Sequence, residues 1–458
     1  MQAIAIQVIG TTFFYIISVY LSKESFGIIS WVNAVSVFIT TLLGFGLEQV
    51  VIRRIAASNR SNWAAAAFFI HSIIGSVITF LLLLLVSTLI KINAATSQFL
   101  PWFFAAQCLI YIGIPLKQFL NAKEKFTPYG IIAIISNSSK IIAVWFLIRS
   151  HTLDTYTVAI IMIIAAAFEL ICLLIYLLTK TDLHFKFRFS AYRKLLKESS
   201  AQYLSVIFDM SLSRIDWILL GILTTSTILA DYSFAYRAFE LAKLPMVIIA
   251  QLILPRLAKL IANKQGNSSQ QLINSLNIAE MFFAMMIPLL LNILWVPVVN
   301  SITAGKYGTT NALQFFILSL CIPLQFFINL LWSLSFAAKK YKPVAGITIG
   351  CAVANIALNL VFIPKHDGVG ASIAFLATTI IQAGLYYKFV YKRVMPVSIR
   401  PILLFGGIAS VIYYGVISIH IHFLLQLLIA AAGYIIIAVA SGQLNKQHVS
   451  NLKHFFAE

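Results

Sequence analysis

The sequence predicts an all-α integral membrane protein of about fourteen transmembrane helices, in two six-helix pseudosymmetric halves followed by two C-terminal helices. Three observations carry this prediction: an apolar composition, a series of long apolar segments and an internal repeat. Of the 458 residues, 60% are hydrophobic and only 10% are charged, and the mean hydropathy is +0.93. Soluble domains carry about 25% charged residues, so composition alone excludes the soluble classes.

The apolar segments are long enough to cross a bilayer as helices, and charged residues or Pro, Gly and Asn clusters separate them. The first segment has no basic n-region and no small-residue cleavage site, so we expect a retained span there and no signal peptide. The predicted spans are 3–22, 26–47, 63–90, 98–120, 127–149, 156–178, 199–223, 232–255, 276–298, 311–336, 343–363, 368–391, 399–418 and 421–441.

The distribution of basic residues predicts the orientation of these spans. With the N-terminus in the cytoplasm, the cytoplasmic connections and the tail hold 24 lysines and arginines, and the opposite side holds 5. This positive-inside bias predicts that both termini are cytoplasmic. It also explains most of the net charge of +19 as topology and attraction to anionic membrane lipid, so we expect no nucleic-acid partner.

An internal repeat relates the two halves of the chain. The segment 114–148 contains Ile-Pro-Leu, a lysine-rich turn, Pro128 and an apolar span, and the segment 322–363 repeats this order around Pro343. The repeat unit is six spans, and transporters built from such repeats bind their substrate between the halves. The predicted division is 1–178, an N-terminal six-helix lobe; 179–200, a cytoplasmic amphipathic linker; 201–391, a C-terminal six-helix lobe; 392–441, two additional helices; and 442–458, a cytoplasmic tail.

Ionisable side chains within the predicted spans mark the candidate site, because a charge at the bilayer centre costs about 2.5–3.5 kcal/mol. One interpretation is structural ion pairing, such as Glu240 with its neighbours Arg237 and Lys243, three residues away on either side. The other is a cationic cavity shared by the halves that holds a multiply charged anion. In that interpretation the substrate-binding residues are Lys140, Arg214, Arg237 and Lys243, and Asp209 or Asp216, which share one face of span seven, couples transport to an ion gradient.

The chain has no motif of a catalytic site. It contains no P-loop, no Gly-x-Ser-x-Gly and no His-Glu-x-x-His, and it has no sizeable domain outside the predicted spans. The four cysteines lie in apolar segments without paired spacing, which disfavours disulfides and metal sites. We therefore expect a protein that is not an enzyme and that needs no cofactor or metal.

The motifs of several spans resemble a known family. Asn355 to Pro364, followed by Asp367-Gly-Val-Gly-Ala-Ser-Ile-Ala374, resembles the signature of the polysaccharide exporters in the multidrug/oligosaccharidyl-lipid/polysaccharide (MOP) superfamily. Small residues in such a segment let neighbouring membrane helices approach closely. Asp216-Trp-Ile-Leu-Leu-Gly221, Tyr232-Ser-Phe-Ala-Tyr-Arg237 and the segment from Phe26-Gly27 to Arg53-Arg54-Ile-Ala56 are similar to other parts of the pattern, in the family's order. The resemblance covers nearly the whole chain.

The resemblance implies a V-shaped MATE-like exporter fold and a flippase of the O-antigen (Wzx) type in the bacterial inner membrane. Such a protein moves an undecaprenyl-pyrophosphate-linked oligosaccharide, the repeat unit of a surface polysaccharide, to the outer leaflet by alternating access, next to a glycan polymerase and chain-length machinery. The pyrophosphate would enter the cationic cavity while the prenyl tail stays in lipid. Residues 1–22 lack the first-helix arginines of the peptidoglycan-precursor branch, which argues against that branch. A cation-coupled multidrug exporter of the same superfamily is the alternative, although it favours an acid-dominated cavity; a glycan polymerase or ligase would need a large outward loop.

Overall fold

The structure, a computed structural model, describes residues 2–58, 62–89, 94–181, 187, 189–262 and 266–443, and every regular element in these ranges is a helix. The helices are α1 (Gln2–Tyr20), α2 (Lys23–Leu43), α3 (Leu47–Ala57), α4 (Trp63–Leu89), α5 (Ala94–Ala122), α6 (Phe126–Arg149), α7 (Thr155–Lys180), α8 (Phe189–Leu223), α9 (Ser226–Ala242), α10 (Leu244–Ala262), α11 (Gly266–Thr303), α12 (Ala312–Ala337), α13 (Tyr341–Arg393), α14 (Arg400–Ile417) and α15 (Phe423–Ala440). Residues 182–186 and 188 of the predicted linker, and the predicted tail from 444 on, lie outside the described residues.

The helices confirm the predicted class, a multi-pass all-α membrane protein. Within the described ranges, 10 helices are long and apolar enough to cross a membrane. One of them, α13, has 53 residues and breaks at Asp367, where φ is 51° and ψ is −132°, so it consists of two spans as predicted. The remaining predicted spans correspond to α1, α8 and the pair α9–α10, which agrees with a total of fourteen.

The predicted eighth span is interrupted in its middle, so the prediction of one helix over 232–255 is wrong. Helix α9 ends at Ala242 and α10 begins at Leu244. Pro245 explains the break, because proline has no amide hydrogen and its ring fits the first turn of a helix better than the interior. Lys243 lies at the break, and its carbonyl oxygen accepts a hydrogen bond from the amide of Met246 at 3.0 Å. A cationic side chain thus marks a helix discontinuity within the predicted eighth span.

The turns between α5 and α6 and between α12 and α13, which the internal repeat pairs, have the same geometry. Each contains a left-handed residue, Glu124 with φ of 56° and Lys339 with φ of 58°. The next amides, those of Lys125 and Lys340, donate to the carbonyl five residues earlier, at 2.9 Å and 3.0 Å. This is the Schellman pattern of helix termination. Two distant segments with similar sequence therefore end and restart their helices in the same way.

The first compact unit of the chain is Met1–Ser233, which includes α8 and the beginning of α9. Helix α2 contacts both α8 and the beginning of α9, because glycines at the contacts allow a close approach. A Cβ atom at Gly27 would overlap the backbone carbonyl of Ser226, and one at Gly221 would overlap the Trp31 ring. The indole Nε1 of Trp31 donates to the carbonyl oxygen of Ile218 at 3.1 Å. The predicted lobe boundaries at 178 and 201 stay a prediction.

Replacing Gly27 with alanine should destabilise the first unit by about 1–3 kcal/mol, the usual cost of an extra methyl group in a close-packed contact. The added Cβ would meet main-chain atoms of Ser226, which cannot rotate away as a side chain could. The measurement is the unfolding temperature of the purified protein in detergent. Gly350→Ala is the matched control, because a Cβ at that position meets nothing within 4 Å. Equal unfolding temperatures for the two variants would contradict the close approach of α2 to Ser226.

The second compact unit is Phe234–Glu458. Its core contains stacked aromatic rings, with Trp295 on Phe315 at 3.6 Å between ring centroids. The two additional helices, α14 and α15, pack against α11 and against each other. The hydroxyl of Tyr434 on α15 donates to the backbone carbonyl of Phe282 on α11 at 2.9 Å. The predicted extra helices are therefore part of this unit's packing.

Candidate functional site

A charged cluster lies in the first unit where α5, α6 and α7 meet. The ammonium of Lys117 forms an ion pair of 2.7 Å with the carboxylate of Glu169, and the two side chains are 17% and 10% exposed. The ammonium of Lys140 donates to the side-chain oxygen of Asn137 at 3.1 Å. The carboxylate of Glu169 attracts the ammonium of Lys140, and the ammonium of Lys117 repels the ammonium of Lys140. Lys140 thus shares one carboxylate with a second lysine.

A second acid, Glu48 at the start of α3, extends this cluster. Its carboxylate accepts a hydrogen bond of 3.0 Å from the amide of Gln118. Burial raises the pKa of Glu48, and the Gln118 hydrogen bond and the charge of Lys117 act in the opposite direction. The raised pKa favours the uncharged acid. A protonated Glu48 would no longer balance the charge of Lys117.

The candidate residues of α8 have contrasting environments. Asp216 is 1% exposed; its carboxylate accepts hydrogen bonds from the Tyr232 hydroxyl and, at 2.9 Å, from the Trp217 amide. Asp209, predicted on the same helix face, is exposed. The guanidinium of Arg214 lies 5.0 Å from the centre of the Trp217 ring. Asp216 therefore joins α8 to α9, and the role of either acid in ion coupling stays a prediction.

Two other candidate cations lie near the helix break, Arg237 in α9 and Lys243 at the break itself. The guanidinium of Arg237 donates to the carboxylate of Glu240 at 3.0 Å, as the spacing of three residues predicted. The ammonium of Lys243 lies 4.1 Å from the centre of the Phe239 ring, within the range of a cation–π interaction. These side chains belong to the second unit, whereas Lys140 and Arg214 belong to the first. A single cavity containing all four cations stays a prediction.

The ion pair between Lys117 and Glu169 is the main feature that sequence reasoning missed. We counted Lys117 with the basic residues of the cytoplasmic connections, although it lies within the predicted span 98–120. In the structure Lys117 lies within the candidate span Gln98–Ala122. The signal was present in the sequence, because Phe119 and Leu120 continue the apolar pattern beyond the lysine. Both are buried.

The second unit also contains an apolar cavity of about 510 Å³ between α11, α12, α13 and α14. Its lining includes Leu289, Leu320, Leu376 and Ala409, with Asn292 among the few polar side chains. Such a lining suits hydrocarbon and disfavours a charged group. Among the described residues, His, Cys, Asp and Glu form no group of three or more that could hold a metal ion.

Comparison with known proteins relates this arrangement of helices to solved transporters. The structure is similar to a lipid II flippase, MurJ, in an inward closed conformation, with a TM-score of 0.77 and 16% identity over 95% of this chain and 97% of that chain. It is also similar to an inward-facing multidrug resistance MATE family transporter of the MOP superfamily, with a TM-score of 0.69 and 15% identity over 86% of this chain and 94% of that chain. A MOP superfamily transporter from Pyrococcus furiosus gives a TM-score of 0.60 at 14% identity, over 85% and 93% of the two chains. At these identities the likeness shows a shared fold.

Sequence comparison identifies the family. Curated proteins gave no significant match. The sequence profile of the family described as "Polysaccharide biosynthesis protein" matches residues 1–261, more than half of the chain and including the charged cluster, α8, α9 and the helix break. The chain therefore belongs to the polysaccharide biosynthesis protein family and has the fold of the MOP superfamily of exporters and flippases.

Proposed function

We propose that this protein is a flippase that moves an undecaprenyl-pyrophosphate-linked oligosaccharide, the repeat unit of O-antigen or another surface polysaccharide, from the cytoplasmic to the outer leaflet of the bacterial inner membrane. Transport proceeds by alternating access and is coupled to an ion gradient. Both termini are cytoplasmic. The family and the fold support transport of a lipid-linked substrate, and the candidate cations support an anionic one.

The environment of Lys140 carries this proposal. The lysine lies within the candidate span Phe126–Arg149, and among the described residues its ammonium donates one hydrogen bond, to the neutral side chain of Asn137. The nearby Glu169 is already paired with Lys117 at 2.7 Å. An ammonium at membrane depth needs a counter-charge, and the phosphate of a lipid-linked substrate supplies one. Lys140 therefore binds the anionic part of the substrate during transport.

The other candidate cations also suit an anionic substrate. Arg214 and Arg237 can hold phosphate oxygens with two parallel hydrogen bonds, and Lys243 adds a point charge. The position of Lys243 at the break between α9 and α10 supports this role, because transporters bind ions and substrates at discontinuous helices. The prenyl chain remains in lipid, and the apolar cavity of the second unit suits part of its length.

Deletion and complementation test the proposal. Cells that lack the protein should lose surface polysaccharide and accumulate the lipid-linked repeat unit on the cytoplasmic leaflet, and the full-length protein should restore both. Resistance to cationic drugs should not change on deletion or overexpression. Normal surface polysaccharide in the deletion strain, or drug sensitivity as its sole defect, would favour the alternative, a multidrug exporter.

A further inference from the structure

Helix α11 carries three oxygen-bearing side chains on one inclined stripe, Asn274, Asn277 and Glu280, each three residues from the next. The mechanism proposed above uses none of them. Asn277 is fully buried and Glu280 is 5% exposed. Their helix packs against α12, α14 and α15, so the stripe lies inside the second unit.

Each of these side chains has a buried oxygen that accepts no hydrogen bond from the described part of the chain: Oδ1 of Asn274, Oδ1 of Asn277 and Oε2 of Glu280. The orientation of the Asn277 amide is fixed, because its nitrogen donates to the carbonyl oxygen of Ser398 at 2.8 Å. If the Asn277 amide were flipped, its oxygen would face the carbonyl oxygen of Ser398, and neither atom can donate a hydrogen bond. Buried polar atoms normally have partners, and a buried carboxylate without a cation is especially costly.

Helices α12, α14 and α15, which pack against α11, supply no cation to Glu280. Helix α12 has no charged residue, and the titratable groups of α14 and α15 are Arg400 and tyrosines. Arg400 begins α14 and is exposed. Oε2 of Glu280 has no hydrogen-bond partner among the residues that the structure describes. When Glu280 is ionised, the stripe therefore offers one negative charge and two neutral oxygen ligands.

A bound cation satisfies this arrangement better than a proton. A protonated Glu280 could donate one hydrogen bond, which would leave at least one of the two amide oxygens without a partner. Carboxylate and amide oxygens are the ligands that hard cations prefer, and a single carboxylate balances a single positive charge. We infer that Asn274, Asn277 and Glu280 form a binding site for a monovalent alkali cation, with sodium as the ion to test.

The site would also connect two elements of the second unit. Ser398 belongs to the connection between α13 and α14, and the amide of Gln270, also on α11, donates to the carbonyl oxygen of Pro396 in that connection at 3.1 Å. A cation held by Asn277 therefore stabilises the end of α11 where this connection docks. The inference concerns binding by the purified protein and stands whether or not the protein is a glycan flippase.

Thermal unfolding of the purified full-length protein in detergent tests the site. We expect sodium chloride to raise the unfolding temperature by about 3 °C or more relative to choline chloride at equal ionic strength, as for a ligand that binds only the folded state. Glu280→Gln should abolish this sodium dependence. It should also unfold at a higher temperature than the wild type without sodium, because the buried charge is gone.

Two further variants make the test decisive. Asn274→Ala changes a half-buried position and should raise the sodium concentration needed for half of the shift about tenfold. This variant supplies the test if Glu280→Gln does not fold. Glu24→Gln, which neutralises an exposed acid on α2, is the control and should respond to sodium like the wild type. Three results would overturn the inference: no sodium-specific shift in the wild type, an unchanged shift in Glu280→Gln and Asn274→Ala, or a response to pH alone.

Discussion

Replacing Lys140 with glutamine should lower surface glycan export at least about tenfold while the amount of protein in the membrane stays at the wild-type level. The substitution keeps a polar side chain that can still bond to Asn137, but it removes the positive charge that we assign to the substrate phosphate. A charge-assisted hydrogen bond contributes about 1.5–3 kcal/mol, which corresponds to the expected loss. The measurement is surface polysaccharide in a complemented deletion strain.

Two control variants accompany this experiment. Lys140→Arg keeps the charge and should retain most of the export. Lys365→Gln removes an exposed charge far along the chain and should leave export unchanged. Arg214→Gln, Arg237→Gln and Lys243→Gln should each reduce export in the same assay. Normal glycan in all four neutralised variants would show that the anion site is elsewhere.

Replacing Glu169 with glutamine should destabilise the protein by about 3–5 kcal/mol, the cost of leaving one partner of a buried ion pair without its counter-charge. Lys117 and Glu169 are mostly buried and 2.7 Å apart, and Lys140 draws on the same carboxylate. Loss of this acid leaves two ammonium groups near each other. The measurement is the unfolding temperature of the purified protein in detergent.

The double variant Lys117→Met, Glu169→Met separates the ion pair from simple packing. It removes both charges together and should recover much of the stability that Glu169→Gln loses, because apolar residues of similar size replace buried pairs at little cost. Glu24→Gln serves as the exposed control. An unfolding temperature of Glu169→Gln equal to that of Glu24→Gln would contradict the structural importance of the pair.

Local sequence patterns predicted those features of the fold that depend on local physics. Apolar length predicted the spans, and the lysine-rich turns before Pro128 and Pro343, which the repeat pairs, both form Schellman turns, at Glu124 and Lys339. The ion pair of Arg237 and Glu240 followed from their spacing on one helix. These two residues are close in the sequence, so helix geometry alone brings them together.

Features that depend on tertiary packing could not be predicted in the same way. Lys117 and Glu169 are 52 residues apart in the sequence, and only the packing of α5 against α7 brings them into contact. Asp209 and Asp216 share a face of α8 by spacing, yet Tyr232 of α9 covers only Asp216. The break at Lys243 was readable from Pro245, but the apolar run on both sides favoured one continuous helix.

Transport in reconstituted vesicles tests the central claim most directly. The purified protein would be placed in liposomes with a fluorescent polyprenyl-pyrophosphate-linked oligosaccharide, under an imposed sodium or proton gradient, and a membrane-impermeant quencher would report how much probe changes leaflet. We predict leaflet exchange that depends on the wild-type protein and is lost in Lys140→Gln but retained in Lys140→Arg. Exchange no faster than in protein-free vesicles, under either gradient, would contradict the assignment of this protein as a flippase of lipid-linked glycans.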